Sequence, residues 1–87
     1  MAQRIPPEAL EQWAQALCER FDLAREDLPI PLILDLARDV SNSVARPAAP
    51  FSAYVAGLVV GRAGGSPAEV DTAVAAITEL AHGWEQG

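Results

Sequence analysis

Eighty-seven residues with twelve acids and six bases, every base an arginine, carry a formal charge of −6. That balance excludes a nucleic-acid surface or an anionic-membrane surface, since both need a basic face. The chain is 51% hydrophobic, 21% charged and only 6% aromatic, and alanine and leucine lead its apolar set, so it reads as one small globular domain built of helices.

The first helix is expected from about Pro7 to Phe21. A proline suits its opening turn, Glu8 and Glu11 suit its positive end, and Leu10, Trp13, Ala14, Leu17 and Phe21 recur at spacings of three and four. A connector follows from Asp22 to Ile30, closed by Pro29 and Pro31, and Pro31 opens a second helix running to about residue 43. Leu32, Ile33, Leu36, Ala37, Val40 and Val44 share one side of that helix, while Asp35, Arg38, Asp39 and Asn42 share the other. Ser41, Asn42 and Ser43 are weak helix formers, which puts the end there.

Between Val44 and Pro50 two prolines bracket a turn around one arginine. Proline disfavours the α region for its predecessor, so Arg46 and Ala49 are expected to be extended, with the third helix starting at Pro50 and ending near residue 62. Phe51 to Val60 holds no charged residue; a helix apolar all round is a buried one, so this is the expected central helix. Gly57 and Gly61 would let a neighbouring backbone approach. Gly64 and Gly65 stop the helix, and Ser66, Pro67 and Glu69 form a capping-box pattern that starts the fourth, expected from 66 to 85, with the stripe Val70, Ala73, Val74, Ile77, Leu80, Ala81 and Trp84. The fold class that results is all-α, a compact four-helix bundle of one domain with antiparallel neighbours.

Few constellations carry chemistry. Asp35, Arg38 and Asp39 lie one turn apart, but with no His or Cys near in sequence, and with Arg38 competing with a cation, a solvated charged face explains them better than a metal site. Gly61 to Ser66 lacks the Gly-Lys-Ser/Thr ending of a phosphate loop and fits a glycine stop plus a cap. His82 is the one histidine and suits a helix C-terminus; Cys18 is the one cysteine, which excludes an internal disulfide, and reads as a core-edge hydrophobe. No nucleophile and base can be paired, so no catalytic residue, metal or cofactor is expected. Arg46 is expected first as an internal anchor, folding back to Asp35, Asp39 or helix-end carbonyls, and second as a contact for a partner's carboxylate or phosphate. Trp13 and Trp84 become interface anchors if exposed. The start, Met1 to Pro7, lacks the apolar core of a signal peptide, and no run approaches the roughly 20 apolar residues of a membrane span; a complete cytoplasmic protein is expected.

Trp13, the Asp-Leu-Ala-Arg-Asp stretch at Asp35 to Asp39, the Val-Ala-Arg-Pro-Ala-Ala-Pro loop at Val44 to Pro50, the glycine-containing third helix and Trp84 together resemble a small helical family of high-GC actinobacteria. The members of that family stand alone or form a tail on molybdenum cofactor guanylyltransferase, which joins GMP to molybdopterin. The resemblance covers most of the chain, and it implies an accessory role without implying catalysis, because the guanylyltransferase's own glycine-rich nucleotide segment has no counterpart here. The expected function is therefore a non-catalytic protein-interaction domain associated with molybdenum cofactor biosynthesis. Its interaction residues would be Asp35, Arg38, Asp39, Arg46, Pro47, Pro50 and Phe51, with Arg46 as the directional contact. The alternatives are small anionic or nucleotide-like ligand binding through Arg46 or Arg62, and homodimerisation through surplus apolar surface of the first and last helices.

Overall fold

The computed structural model describes residues 7 to 84. It places four helices in chain order: α1 (Pro7–Phe21), α2 (Ile30–Ser43), α3 (Ala48–Arg62) and α4 (Pro67–His82). A single 3-10 turn at Arg25–Asp27 lies in the connector between α1 and α2. The fold is an all-α, compact four-helix bundle, with no strand among the described residues. The expected extension of the fourth helix to residue 85 is not seen: Gly83 caps α4 after His82, and residue 85 lies outside the described residues.

Each boundary has a local cause. Asp22 takes the left-handed conformation (φ 58°) just past α1, and the Leu23 N–H reaches back to the Cys18 carbonyl at 2.9 Å, which ends the helix in a Schellman turn. Gly64 (φ 111°) does the same for α3, with the Gly65 N–H on the Val60 carbonyl at 2.9 Å. Ser66 caps α4 by accepting the Glu69 N–H on its hydroxyl at 3.3 Å. Only this half of the capping box forms among the described residues.

Helix α3 begins two residues earlier than expected. The Ala48 N–H donates to the Ala45 carbonyl and the Ala49 N–H to the Arg46 carbonyl, each at 3.1 Å, so overlapping turns lead straight into the helix. Pro47 (φ −65°, ψ −18°) is the N-cap and Pro50 falls in the first turn, where a missing N–H costs nothing. Ala49 is therefore helical, not extended: the first-turn hydrogen bonds outweigh the bias that Pro50 imposes on it.

The core lies among α2, α3 and α4, which pack on one another pairwise. Leu36 and Val40 of α2 are its fully buried side chains, joined by Ala48 and Ala56 of α3 and by Val74 and Ala81 of α4. No charged or polar residue is buried among the described residues. Helix α1 stands to one side against the connector and the start of α2, burying Ala14 and Cys18. The Arg25 guanidinium holds α1 in place, giving Glu11 a two-pronged pair (2.6 and 2.9 Å) and the Leu28 carbonyl a third bond at 3.0 Å.

The molecule is flat, 43 × 42 × 15 Å, and the expectation that α3 is wrapped on all sides fails. Its inward face consists of small residues, Ala48, Ala49, Ser52, Ala53 and Ala56, together with Val60. Its large residues Phe51, Tyr54, Val55, Leu58 and Val59 point outward, 40% to 70% exposed. A slab this thin has no layer left to cover a second apolar face.

Candidate functional site

The seven residues expected to form an interaction site divide between two surfaces. Asp35 and Arg38 pair with each other at 3.1 Å on exposed α2 surface. Arg38 lies two positions from Val40, about 200° round the helix, so the pair faces away from the α2–α3 corner. Asp39 turns toward α4, its carboxylate 4.0 Å from His82 Nε2, a contact that becomes an ion pair only when the imidazole is protonated. These three residues form a solvated charged face, and no group of three or more metal-ligating side chains occurs among the described residues.

Arg46, Pro47, Pro50 and Phe51 do gather at the α2–α3 corner. The internal anchoring expected of Arg46 is absent: its side chain is exposed and makes no hydrogen bond or ion pair. Neither Asp35 nor Asp39 receives it, because each already faces elsewhere on α2. Overlapping backbone turns and the packing of Val44 and Ala48 on the core hold the corner without Arg46, whose guanidinium stays free in solvent.

Beside this corner lies a groove of about 210 Å³. Val40, Val44, Ala48, Ile77 and Ala81 line it along with Ser52, and Phe51, Leu80 and Trp84 form its exposed edges. Leu80 and Trp84 join the site through the end of α4. Their stripe positions suggest core packing, yet they are 64% and 53% exposed at the groove edge. Arg46 sits on the turn between two groove residues, Val44 and Ala48. The groove thus offers an apolar seat for a partner's side chain, with a cation on the turn between two of its walls.

A larger cleft, about 310 Å³, opens between α1 and the start of α2, lined by Leu10, Trp13, Leu17, Ile33 and Leu34 among others. Its lining is almost wholly apolar, so it lacks the converging polar groups that orient a small ligand. The two clefts place Trp13 and Trp84, 61% and 53% exposed, on separate parts of the surface. Arg62 is exposed and without a hydrogen bond or ion pair, and the glycines after it serve the end of α3.

The strongest electrostatic pair was not visible beforehand. The hydrogen bond from Arg25 lowers the Glu11 pKa below its ordinary value of 4.5, with a smaller charge contribution from the same arginine opposing desolvation; the Arg25 pKa rises in turn. Fourteen residues separate the two, and no periodicity marks them. No described helix is long and apolar enough to cross a membrane.

No curated protein and no solved structure matches the chain. A family model does match, and it spans residues 5–87, nearly the whole sequence. On that match the chain belongs to the DUF6457 family, a domain of unknown function.

Proposed function

We propose that this protein is a non-catalytic interaction module that seats a partner protein in the groove at the α2–α3 corner. The observation that carries the reading is the exposed Arg46 guanidinium, free of internal bonds, beside an apolar groove edged by Phe51, Leu80 and Trp84. An apolar anchor flanked by an unpaired charge is the usual composition of a binding hot spot and its rim. Pro47 and Pro50 limit the corner's freedom and so lower the ordering cost of association. Pro47, Pro50 and Phe51 supply its shape, and the Asp35–Arg38–Asp39 face of α2 lies outside the contact.

The partner we propose is an enzyme of cytoplasmic molybdenum cofactor biosynthesis, the guanylyltransferase first, on the strength of the Asp35–Asp39 and Val44–Pro50 resemblance to its actinobacterial tail. The test is direct binding of the purified guanylyltransferase by calorimetry. Wild type should bind, and Trp84→Ala should weaken binding by about 2 kcal/mol, roughly 30-fold. Arg46→Ala should also weaken it while leaving the unfolding midpoint unchanged, since Arg46 holds nothing within the chain. Equal affinity for wild type and both variants would sink the groove, and no binding by wild type would sink the choice of partner.

A further inference from the structure

We infer that the outer face of α3 is a homodimer interface, on which two copies of this chain pack across a two-fold axis. The face is Phe51, Tyr54, Val55, Leu58 and Val59, which fall at i, i+3, i+4, i+7 and i+8 along the helix. That spacing normally marks the side of a helix turned to the core, yet here it is the side turned to solvent. The side turned inward carries mostly alanine and serine. Within one chain, α3 therefore spends its smallest side chains on packing and leaves its largest bare.

Charge permits a second copy at this face and disfavours a partner with a basic surface. The chain carries −6 overall, yet Ala48 to Gly61 contains no acid and no base. Two acidic copies meeting here bury no carboxylate, and the charges that repel them stay at a distance in solvent. A partner recruited by its own basic surface would find no acid on this face.

The area is adequate. An aromatic side chain presents on the order of 200 Å² when free. On that scale the five exposed fractions sum to roughly 500 Å² per protomer, so two copies remove roughly 1,000 Å², the threshold for a specific interface. The exposed Gly57, Gly61 and Arg62 extend the patch. A Cβ added at either glycine would meet nothing within 4 Å, so packing within the chain does not require them. A two-fold axis near Val55 would set the Phe51 end of one helix against the Val59 end of the other, large against small. Of the five residues of this face only Phe51 also borders the groove, so the two surfaces share that one side chain.

The experiment is sedimentation equilibrium of the full chain over a dilution series, wild type beside Leu58→Glu and Phe21→Glu. Phe21 is as exposed as the α3 residues but lies at the end of α1, away from this face. Wild type should approach twice its 9.2 kDa chain mass. Leu58→Glu should dimerise roughly 30-fold more weakly or worse, and Phe21→Glu should match wild type. Should Leu58→Glu prove poorly folded by circular dichroism, Leu58→Ala replaces it, and the wild-type melting temperature should climb with protein concentration more steeply than the variant's. A wild-type chain that stays at single mass up to about 1 mM, the weak end of specific association, overturns the inference. So does a dimer that Phe21→Glu dissolves and Leu58→Glu does not.

Discussion

Asp22 occupies a backbone position that glycine would fill without strain. Its φ of 58° lets the Leu23 N–H close the α1 turn on Cys18, but a side chain in the left-handed region costs roughly 1 kcal/mol. Asp22→Gly should therefore stabilise the protein by about 0.5 kcal/mol, the relief of strain being partly offset by the greater freedom of the unfolded chain. The urea midpoint reads this, and a fall in the midpoint would show that the Asp22 side chain does something the backbone argument omits. Residue chemistry also explains why Arg46 has no internal partner. An arginine on the loop after the helix that carries two acids, seven and eleven residues before it, suggests an internal pair, but Asp35 bonds Arg38 and Asp39 faces His82, so nothing remains to hold it.

At the scale of elements, α1 depends on its connector. Glu11 is the one side chain of α1 that the Arg25 guanidinium grips, and that grip requires the carboxylate form. The folded-state pKa of Glu11 lies below its ordinary value, so the pair's contribution is present above about pH 4.5 and is lost as pH falls through the lowered value. Glu11→Gln should flatten the dependence of the denaturation midpoint on pH across this acid range. Parallel curves for the two proteins would mean the pair adds nothing, as happens with many exposed ion pairs. The four helices themselves were legible: Pro31, Gly64 with Gly65, and Ser66 with Pro67 mark boundaries by backbone chemistry that needs no tertiary context. The start of α3 was not, because the Ala45 and Arg46 carbonyls capture the first N–H groups of a helix that the prolines suggest starts only at Pro50, after a turn with Arg46 and Ala49 extended. The site was half legible. Arg46 and Phe51 stand where the loop puts them, but the groove exists only because α4 brings Leu80 and Trp84 alongside, a long-range contact no local pattern encodes.

At the scale of the whole molecule, stability rests on a few side chains. Among the described residues only Leu36 and Val40 are both large and fully buried, whereas a chain of this size carries a net stability of only about 4–13 kcal/mol. Leu36→Ala should cost about 2–5 kcal/mol, so its chemical denaturation midpoint should fall sharply or the chain should be unfolded at room temperature. A loss below about 1 kcal/mol would mean that the core collapses to fill the gap, or that the buried centre lies elsewhere. Periodicity could not anticipate the flat shape: it identifies apolar faces without saying which will find a neighbour, and α3 has apolar residues on every side to offer.

The alanine side of α3 has a consequence for how this chain tolerates change. Ala56 sits between helices whose close approach depends on its being small, and added methylenes in such a place cost about 1–3 kcal/mol because neither neighbour can retreat without parting from the other. The usual expectation, that bulky hydrophobes are irreplaceable and alanines interchangeable, is therefore reversed along this helix. For the fold alone, drift is excluded from the small residues' side, and the large residues are free to vary. Any constraint on Tyr54 or Leu58 across related chains would have to come from outside the monomer.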